Sequence, residues 1–250
     1  MALSTELNTG ILILTLNRPE KRNALDAETL AELSAQLERA ELDGAVRVVA
    51  IRGAGKDFCA GADLDELLAS ADQSPEQNEQ AALRLGGVFI QMRQLPKLVV
   101  AIVHGRALAG GAGIATACDI VLARDDAQFG YPEIQRGFVP AMVMTILRRL
   151  AGEKLAFELA ATGRVLDAEE ARAAGLVSRV LPAASFDADA GAFLRSLAGN
   201  SASALALTKK QFYQLDGMGF EEGIRLGAKV NALARAHPDF RQAIAGFLKK

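Results

Sequence analysis

Apolar residues along this chain come in short blocks, and the blocks alternate between two periods. Residues 10–16 (Gly-Ile-Leu-Ile-Leu-Thr-Leu) form a brief apolar run after a polar start, and Asn17-Arg-Pro-Glu-Lys-Arg-Asn23 breaks it. That reads as a buried strand followed by a turn. Leu30, Leu33 and Leu37 then recur at helical spacing, with Asp26 placed to cap. A second strand is predicted over residues 46–51, ended by Gly53-Ala-Gly55, and residues 56–62 form a Gly/Ala loop. Ser74-Pro-Glu-Gln77 has the form of a capping box with proline in the first turn, so a helix should run from there to about Leu95, where Pro96 stops it.

Residues 98–103 (Leu-Val-Val-Ala-Ile-Val) read as a third strand, 119–123 as a fourth and 127–130 as a short fifth. A glycine-rich turn over 105–113 leads into residues 114–118. Beyond Met142 the pattern is mainly helical, with residues 177–181 the one late strand and Asp167 opening a short helix. Helices near 185–199, 202–215, 220–236 and 239–248 close the chain. Strands alternating with helices predict an α/β fold built on parallel strands. No linker rich in Ser, Gly or Pro divides the sequence, and no fixed period repeats. The simplest division is a core over 1–190 and a helical region over 191–250.

Composition narrows the functional classes. The 250 residues are 50% hydrophobic but only 5% aromatic, without tryptophan. That is far too apolar for disorder. A net charge of −2 gives no global attraction for nucleic acid or an anionic membrane, and no Lys/Arg-rich helix supplies a local one. Two cysteines, Cys59 and Cys118, make no disulfide framework. The N-terminal apolar run is too short for a signal core or a membrane span. A soluble cytoplasmic protein without a nucleic-acid or membrane partner is the expectation. With two histidines and two cysteines, no metal site is expected.

Two segments carry the density of small residues that a backbone-lined site needs: Phe58-Cys-Ala-Gly-Ala-Asp-Leu64 and Gly105-Arg-Ala-Leu-Ala-Gly-Gly-Ala-Gly113. Neither completes a phosphate loop, because no Lys-Ser/Thr follows Gly110, and Thr116 stands where a dinucleotide fingerprint needs its third glycine. Each segment follows a buried strand and precedes a helical one. Peptide N–H groups at a helix start lack internal partners and carry the positive end of the dipole. Two of them converging would make an oxyanion hole.

These two segments, with Asn17-Arg-Pro-Glu-Lys-Arg-Asn-Ala-Leu25, Cys118-Asp-Ile120, Ala127-Gln-Phe-Gly-Tyr-Pro-Glu133, Thr162-Gly163 and Ala171-x3-Gly-Leu-Val177, resemble the crotonase superfamily, the enoyl-CoA hydratases and isomerases. The similarity runs in order over nearly the whole chain. It implies a spiral of ββα units and C-terminal helices that drive assembly into a homotrimer or a dimer of trimers. It also implies an acyl-CoA thioester as substrate, with no separate cofactor because coenzyme A belongs to the substrate. The family's two oxyanion donors fall on the N–H groups of Ala62 and Gly110. Arg22, Ala24, Ala60, Asp63 and Leu64 would lie along the CoA moiety, with Lys21 and Arg22 near its phosphates. Phe247 and Lys250 would reach the adenine end from a neighbouring subunit.

Many hydratases of this family use two glutamates. One falls here on Glu133, in the Pro-Glu turn; the other falls on Gly113, which has no side chain. Syn hydration must deprotonate water and protonate C2, work for two carboxyls in complementary states. Moving a double bond from C3 to C2 needs one base that takes a proton at C2 and returns it at C4. Glu133 with Gly113 therefore favours isomerisation over hydration. Hydration stays open if Glu133 acts alone on water or if Asp65 or Glu66 enters the pocket, and a non-catalytic acyl-CoA-binding scaffold is the alternative from another class. Tyr131 lines the acyl pocket or packs in the core, His104 reads as a structural histidine, and the two cysteines as inert apolar residues.

Overall fold

The structure is a computed structural model and describes residues 1–248. Nine strands follow in chain order: β1 (Leu3–Asn8), β2 (Ile11–Leu16), β3 (Val48–Gly53), β4 (Leu98–Val103), β5 (Arg106–Leu108), β6 (Ile120–Arg124), β7 (Gln128–Gly130), β8 (Val165–Asp167) and β9 (Arg179–Leu181). The core helices are α1 (Ala27–Leu42), α2 (Leu64–Ala69), α3 (Pro75–Gln94), α4 (Gly110–Ala117), α5 (Ala141–Ala151), α6 (Glu153–Thr162), α7 (Ala168–Ala173) and α8 (Phe186–Ala198). Then come α9 (Ala202–Gln214), α10 (Phe220–Ala236) and α11 (Pro238–Phe247).

The main sheet has the order β1-β2-β3-β4-β6-β9, parallel from β2 onward, as the alternation of strands and helices predicts. Both faces of its central strands are covered, which is why they read as unbroken apolar runs. Val49 and Ile51 join the large core under α1, α3 and α4. Val48 and Ala50 point the other way, against Phe186, Ala190 and Leu194 of α8. The expected core boundary at 190 therefore falls inside α8, and this helix belongs with the core because it seals the sheet's second face.

The polar start is itself a strand. β1 pairs antiparallel with β2 from Leu3↔Leu16 to Asn8↔Ile11, with Leu3 buried and the other five residues exposed. Thr9 and Gly10 make the two-residue turn, both at positive φ (47° and 81°), the geometry that suits the twist of a hairpin. Helix α3 begins at the predicted capping box, with Ser74 and Gln77 each accepting from the other's backbone N–H. A small second sheet, β5-β7-β8, stands beside the first and carries the loops that matter most below.

Candidate active site

The turn after β2 is built around Arg18 and Asn23. Arg18 pairs with Asp26 (2.8 Å) and Asp63 (2.9 Å) and donates to the Ala24 carbonyl (2.8 Å). Asn23 is buried at φ 56°, and its amide donates to the carbonyls of Ala54 and Asp57, both at 2.8 Å. This clamp lays residues 22–25 beside residues 60–63. Ala60 N–H donates to Arg22 (3.0 Å), Leu25 N–H to Gly61 (2.8 Å) and Asp63 N–H to Leu25 (2.9 Å). Arg22, Ala24, Ala60, Asp63 and Leu64, expected together, do come together. On its other side the segment bonds β5, through Cys59 N–H to Arg106 (3.0 Å) and Leu108 N–H to Cys59 (2.9 Å).

In this ladder Gly61 and Asp63 supply the bonds to Leu25, so the Ala62 N–H faces away from it. Beyond β5 the chain passes through Ala109 at φ 51°, ψ −125°, a strained conformation for a residue with a Cβ, and enters α4 at Gly110. A Cβ built on Gly110 would lie 4.0 Å from the Ala62 nitrogen, with Leu85 and Leu25 at 3.2 and 3.6 Å. Gly61, at φ 98°, lets this happen: a Cβ there would stand 2.8 Å from that of Ala109. Two peptide N–H groups thus share one small space, and neither donates to another group among the described residues.

Glu133 reaches the same region from the second sheet. β5 and β7 are parallel with Leu108 opposite Gly130, and Ala109 N–H donates to Gly130 (2.8 Å). Tyr131 and the 3₁₀ turn Pro132–Arg136 follow directly from this pairing, and the turn packs against α6. The Glu133 Oε2 is buried without a hydrogen-bond partner. Burial pushes its carboxyl above the ordinary value of 4.5, against a smaller pull down from its own backbone N–H and the charge of Arg136. Glu133 is thus a half-buried carboxyl with one unpartnered oxygen, more readily protonated than an exposed one.

Position 113 is closed. A Cβ on Gly113 would meet Val143 Cγ1 at 2.4 Å and Phe89 Cζ at 2.7 Å. The space a side chain would need is filled by apolar groups from α5 and α3. Asp65 and Glu66, candidates for the missing acid, are engaged elsewhere. Asp65 is exposed and pairs with Lys21, while Glu66 accepts from the Ala27 N–H at 3.1 and 3.2 Å, at the start of α1. Lys21 is thus tied to Asp65. Asp63 is held below the ordinary carboxylate range: its burial is outweighed by the hydrogen bond from Arg18, the Asp65 N–H and the charge of Lys21.

His104 is buried, its Nε2 donating to the Gly55 carbonyl (3.0 Å), and burial lowers its pKa, as befits a structural histidine. Cys59 and Cys118 are buried and unpaired, and burial lifts the Cys59 thiol to about 12. Tyr131 is 1% exposed. Phe247 is 77% exposed on α11, which packs against α10 and not against this site. Lys250 lies outside the described residues. Among the described residues no three potential ligands gather for a metal, and no helix is long and apolar enough to cross a membrane.

Sequence reasoning missed Arg18, and it missed a buried cluster behind α4. Lys209 of α9 is 5% exposed, and its ammonium donates to Met92 (2.7 Å) and Lys97 (2.8 Å) carbonyls and pairs with Asp119 (2.7 Å). Asp119 also accepts from Tyr213 (2.8 Å) and from Val99 N–H (2.7 Å). The cluster borders a cleft of about 580 Å³ between α3 and α9, well away from Glu133. All three of the ammonium's donors are engaged, so it works as a fastening of α9 to the core.

Comparison with known proteins places these observations. The profile of the family described as "Enoyl-CoA hydratase/isomerase" matches residues 6–250. A Thermus thermophilus protein named "Putative enoyl-CoA hydratase" is 42% identical over 240 residues, covering 96% of this chain and 95% of that one. The 2,3-dehydroadipyl-CoA hydratase of Escherichia coli is 34% identical over 241 residues, covering 96% and 92%. The crystal structure of an enoyl-CoA hydratase from Mycobacterium smegmatis superposes with a TM-score of 0.95 at 32% identity, covering 100% of this chain and 96% of that one.

Proposed function

Because this chain belongs to the enoyl-CoA hydratase/isomerase family, we propose that it moves a proton on an enoyl-CoA thioester with Glu133 as its one acid–base group, and that a double-bond shift is the reaction its geometry favours. In that reaction the Glu133 carboxylate takes a proton from C2 of a 3-enoyl thioester. The electron pair moves onto the thioester oxygen, which the N–H groups of Ala62 and Gly110 hold. The carboxylic acid then returns the proton at C4. The observation that carries this reading is the buried, unpartnered Glu133 Oε2, taken with the apolar groups that fill the space beside Gly113. One carboxyl suffices for this proton shuttle, and these groups leave no room for another at 113.

Hydration of a 2-enoyl thioester is the second reading, supported by the names of the relatives. Both readings call for no cofactor beyond the coenzyme A of the substrate. On either one, backbone and side chains of Arg22, Ala24, Ala60, Asp63 and Leu64 line the CoA moiety, and Phe247 and Lys250 act on its adenine end from a neighbouring subunit. A homotrimer or dimer of trimers belongs to the same proposal. Supporting it are the exposed Phe220 (87%), Ile224 (61%), Leu233 (60%) and Phe247 (77%) of α10 and α11, which bury no residue within the chain. A cytoplasmic location fits the two unpaired buried cysteines.

Proton NMR of 2-enoyl- and 3-enoyl-CoA incubated in heavy water tests the proposal, since it reports hydration, bond shift and exchange at C2 together. The expected result is C2 exchange and bond shift that Glu133→Gln abolishes. Undiminished turnover of every enoyl-CoA by that variant would overturn it.

A further inference from the structure

The two N–H groups proposed to hold the thioester oxygen are backed differently. Gly110 is the first residue of α4, so its N–H carries the positive end of that helix. The helix after Ala62 offers less: α2 has six residues and two acids, Asp65 and Glu66, in its first turn. What stands behind Ala62 is a run of hydrogen bonds that begins at Arg18. The Arg18 Nη1 donates to the Ala24 carbonyl at 2.8 Å. The N–H of that same peptide group, on Leu25, donates to the Gly61 carbonyl at 2.8 Å. The peptide to which this carbonyl belongs carries the Ala62 N–H. A trans peptide points its C=O and N–H in opposite directions. The Leu25 bond at one end therefore aims the Ala62 N–H out of the ladder at the other. Gly61, at φ 98°, has a backbone free enough to need that constraint.

We propose that Arg18 is a positioning residue for the oxyanion site: acting through the Ala24–Leu25 and Gly61–Ala62 peptides in series, it orients the Ala62 N–H and polarises it toward a thioester oxygen. This rests on the reading of Ala62 as an oxyanion donor. A hydrogen bond from a cation is about twice as strong as a neutral one, and each bond in a chain polarises the next. The guanidinium is held firmly in place for this. Nη1 also pairs with Asp26 at 2.8 Å and Nη2 with Asp63 at 2.9 Å, which fixes the fork in its plane. Both Arg18 and Asp63 are largely buried, so water screens these bonds weakly. The two carboxylates offset the positive charge at a distance, so its effect on Ala62 travels through the peptides. Arg18 also braces the turn at Arg22 and Asn23, both at positive φ (53° and 56°), its own N–H donating to Asn23 Oδ1 at 3.0 Å.

The test reads the thioester carbonyl itself. Difference infrared spectra of a saturated four-carbon acyl-CoA, isotope-labelled at its carbonyl carbon, report how far the bound C=O stretch falls below its position in water. Alongside, kcat and KM are measured on whichever of the 2-enoyl- and 3-enoyl-CoA the wild type converts. In Arg18→Gln, which leaves a neutral donor, the downshift should shrink and kcat should fall about tenfold, with KM changed less. That is a fraction of the roughly 10²–10³-fold that loss of a whole oxyanion donor costs. Asp26→Asn keeps a capping side chain on α1 and the bond to the Ala24 carbonyl while removing an opposing charge. It should melt lower yet keep or enlarge the downshift. An unchanged downshift in Arg18→Gln, or a downshift that Asp26→Asn loses in step with its stability, would overturn the role of Arg18. If Arg18→Gln does not fold, Asp26→Asn decides alone. A wild type without any downshift would instead overturn the assignment of Ala62 and Gly110 beneath it.

Discussion

Adding one methyl group at Gly113 tests whether the missing carboxylate has left a vacancy or a filled wall. In Gly113→Ala the new Cβ would sit 2.4 Å from Val143 Cγ1 and 2.7 Å from Phe89 Cζ. Carbon atoms rest at about 3.5–4.0 Å, so both neighbours must give by roughly an ångström, on two different helices. Overpacking of this kind costs about 1–3 kcal/mol, and the double overlap points to the upper end. Alanine in place of glycine returns about 1 kcal/mol of helix propensity. The net loss is then about 2 kcal/mol, or roughly 4–8 °C in melting temperature for a chain of this size. Val143→Ala removes one of the two clashing groups, so the double variant should melt higher than the sum of the singles predicts, by a coupling of about 1–2 kcal/mol. Thermal melts at one protein concentration, followed by circular dichroism, measure all four species. If Gly113→Ala melts at or above wild type, or adds independently to Val143→Ala, position 113 is open and the one-carboxyl argument loses its ground.

The remaining expectations concern charge. Glu133→Gln should lower bond-shift turnover by about 10²–10⁴, and the wild-type pH profile of kcat/KM should rise through a pKa above the ordinary 4.5, a limb that the variant lacks. The stability effect has the opposite sign. Because burial raises the folded-state pKa, the native state binds the extra proton, and the stability this gives is full below the unfolded pKa and lost as pH rises through the folded one. Glu133→Gln should therefore gain stability relative to wild type across that window, as denaturant midpoints at successive pH values will show. Lys209→Met breaks a buried pair whose side chains are 3% and 8% exposed. A loss of about 3–5 kcal/mol is expected in urea melts, and a loss under 1 kcal/mol would mean the pair contributes little.

Much of the fold was legible because parallel strands buried on both faces leave continuous apolar runs, and helices leave caps. Ser74 and Gln77 set the start of α3, and Pro96 follows its end. The two Gly/Ala segments were legible as a site because a backbone that presents its N–H groups tolerates few side chains near them. β1 was not, since its exposed face hides the alternation, and the Thr9-Gly10 turn was its one signal. Arg18 and Lys209 escaped notice for another reason. A charged residue gives no local hint that it will be clamped by partners 45 and 90 residues away. The absence of an acid at Gly113 could be read from the letters, but its replacement by Val143 and Phe89 required the packing of three helices. α8 looks like any terminal helix until its face is seen against Val48 and Ala50.

The fastening of Lys209 to Asp119 divides the C-terminal helices into two kinds. α9 is tied to β4 and to the end of α4, so its innermost amides can exchange with solvent only when the core itself opens. α10 and α11 hold no fully buried residue within the chain, and their amides should exchange early in any isolated copy. Protection of residues 220–247 against deuterium, followed as protein concentration is raised, is therefore a direct gauge of self-assembly, with α9 in the same molecule as its internal standard.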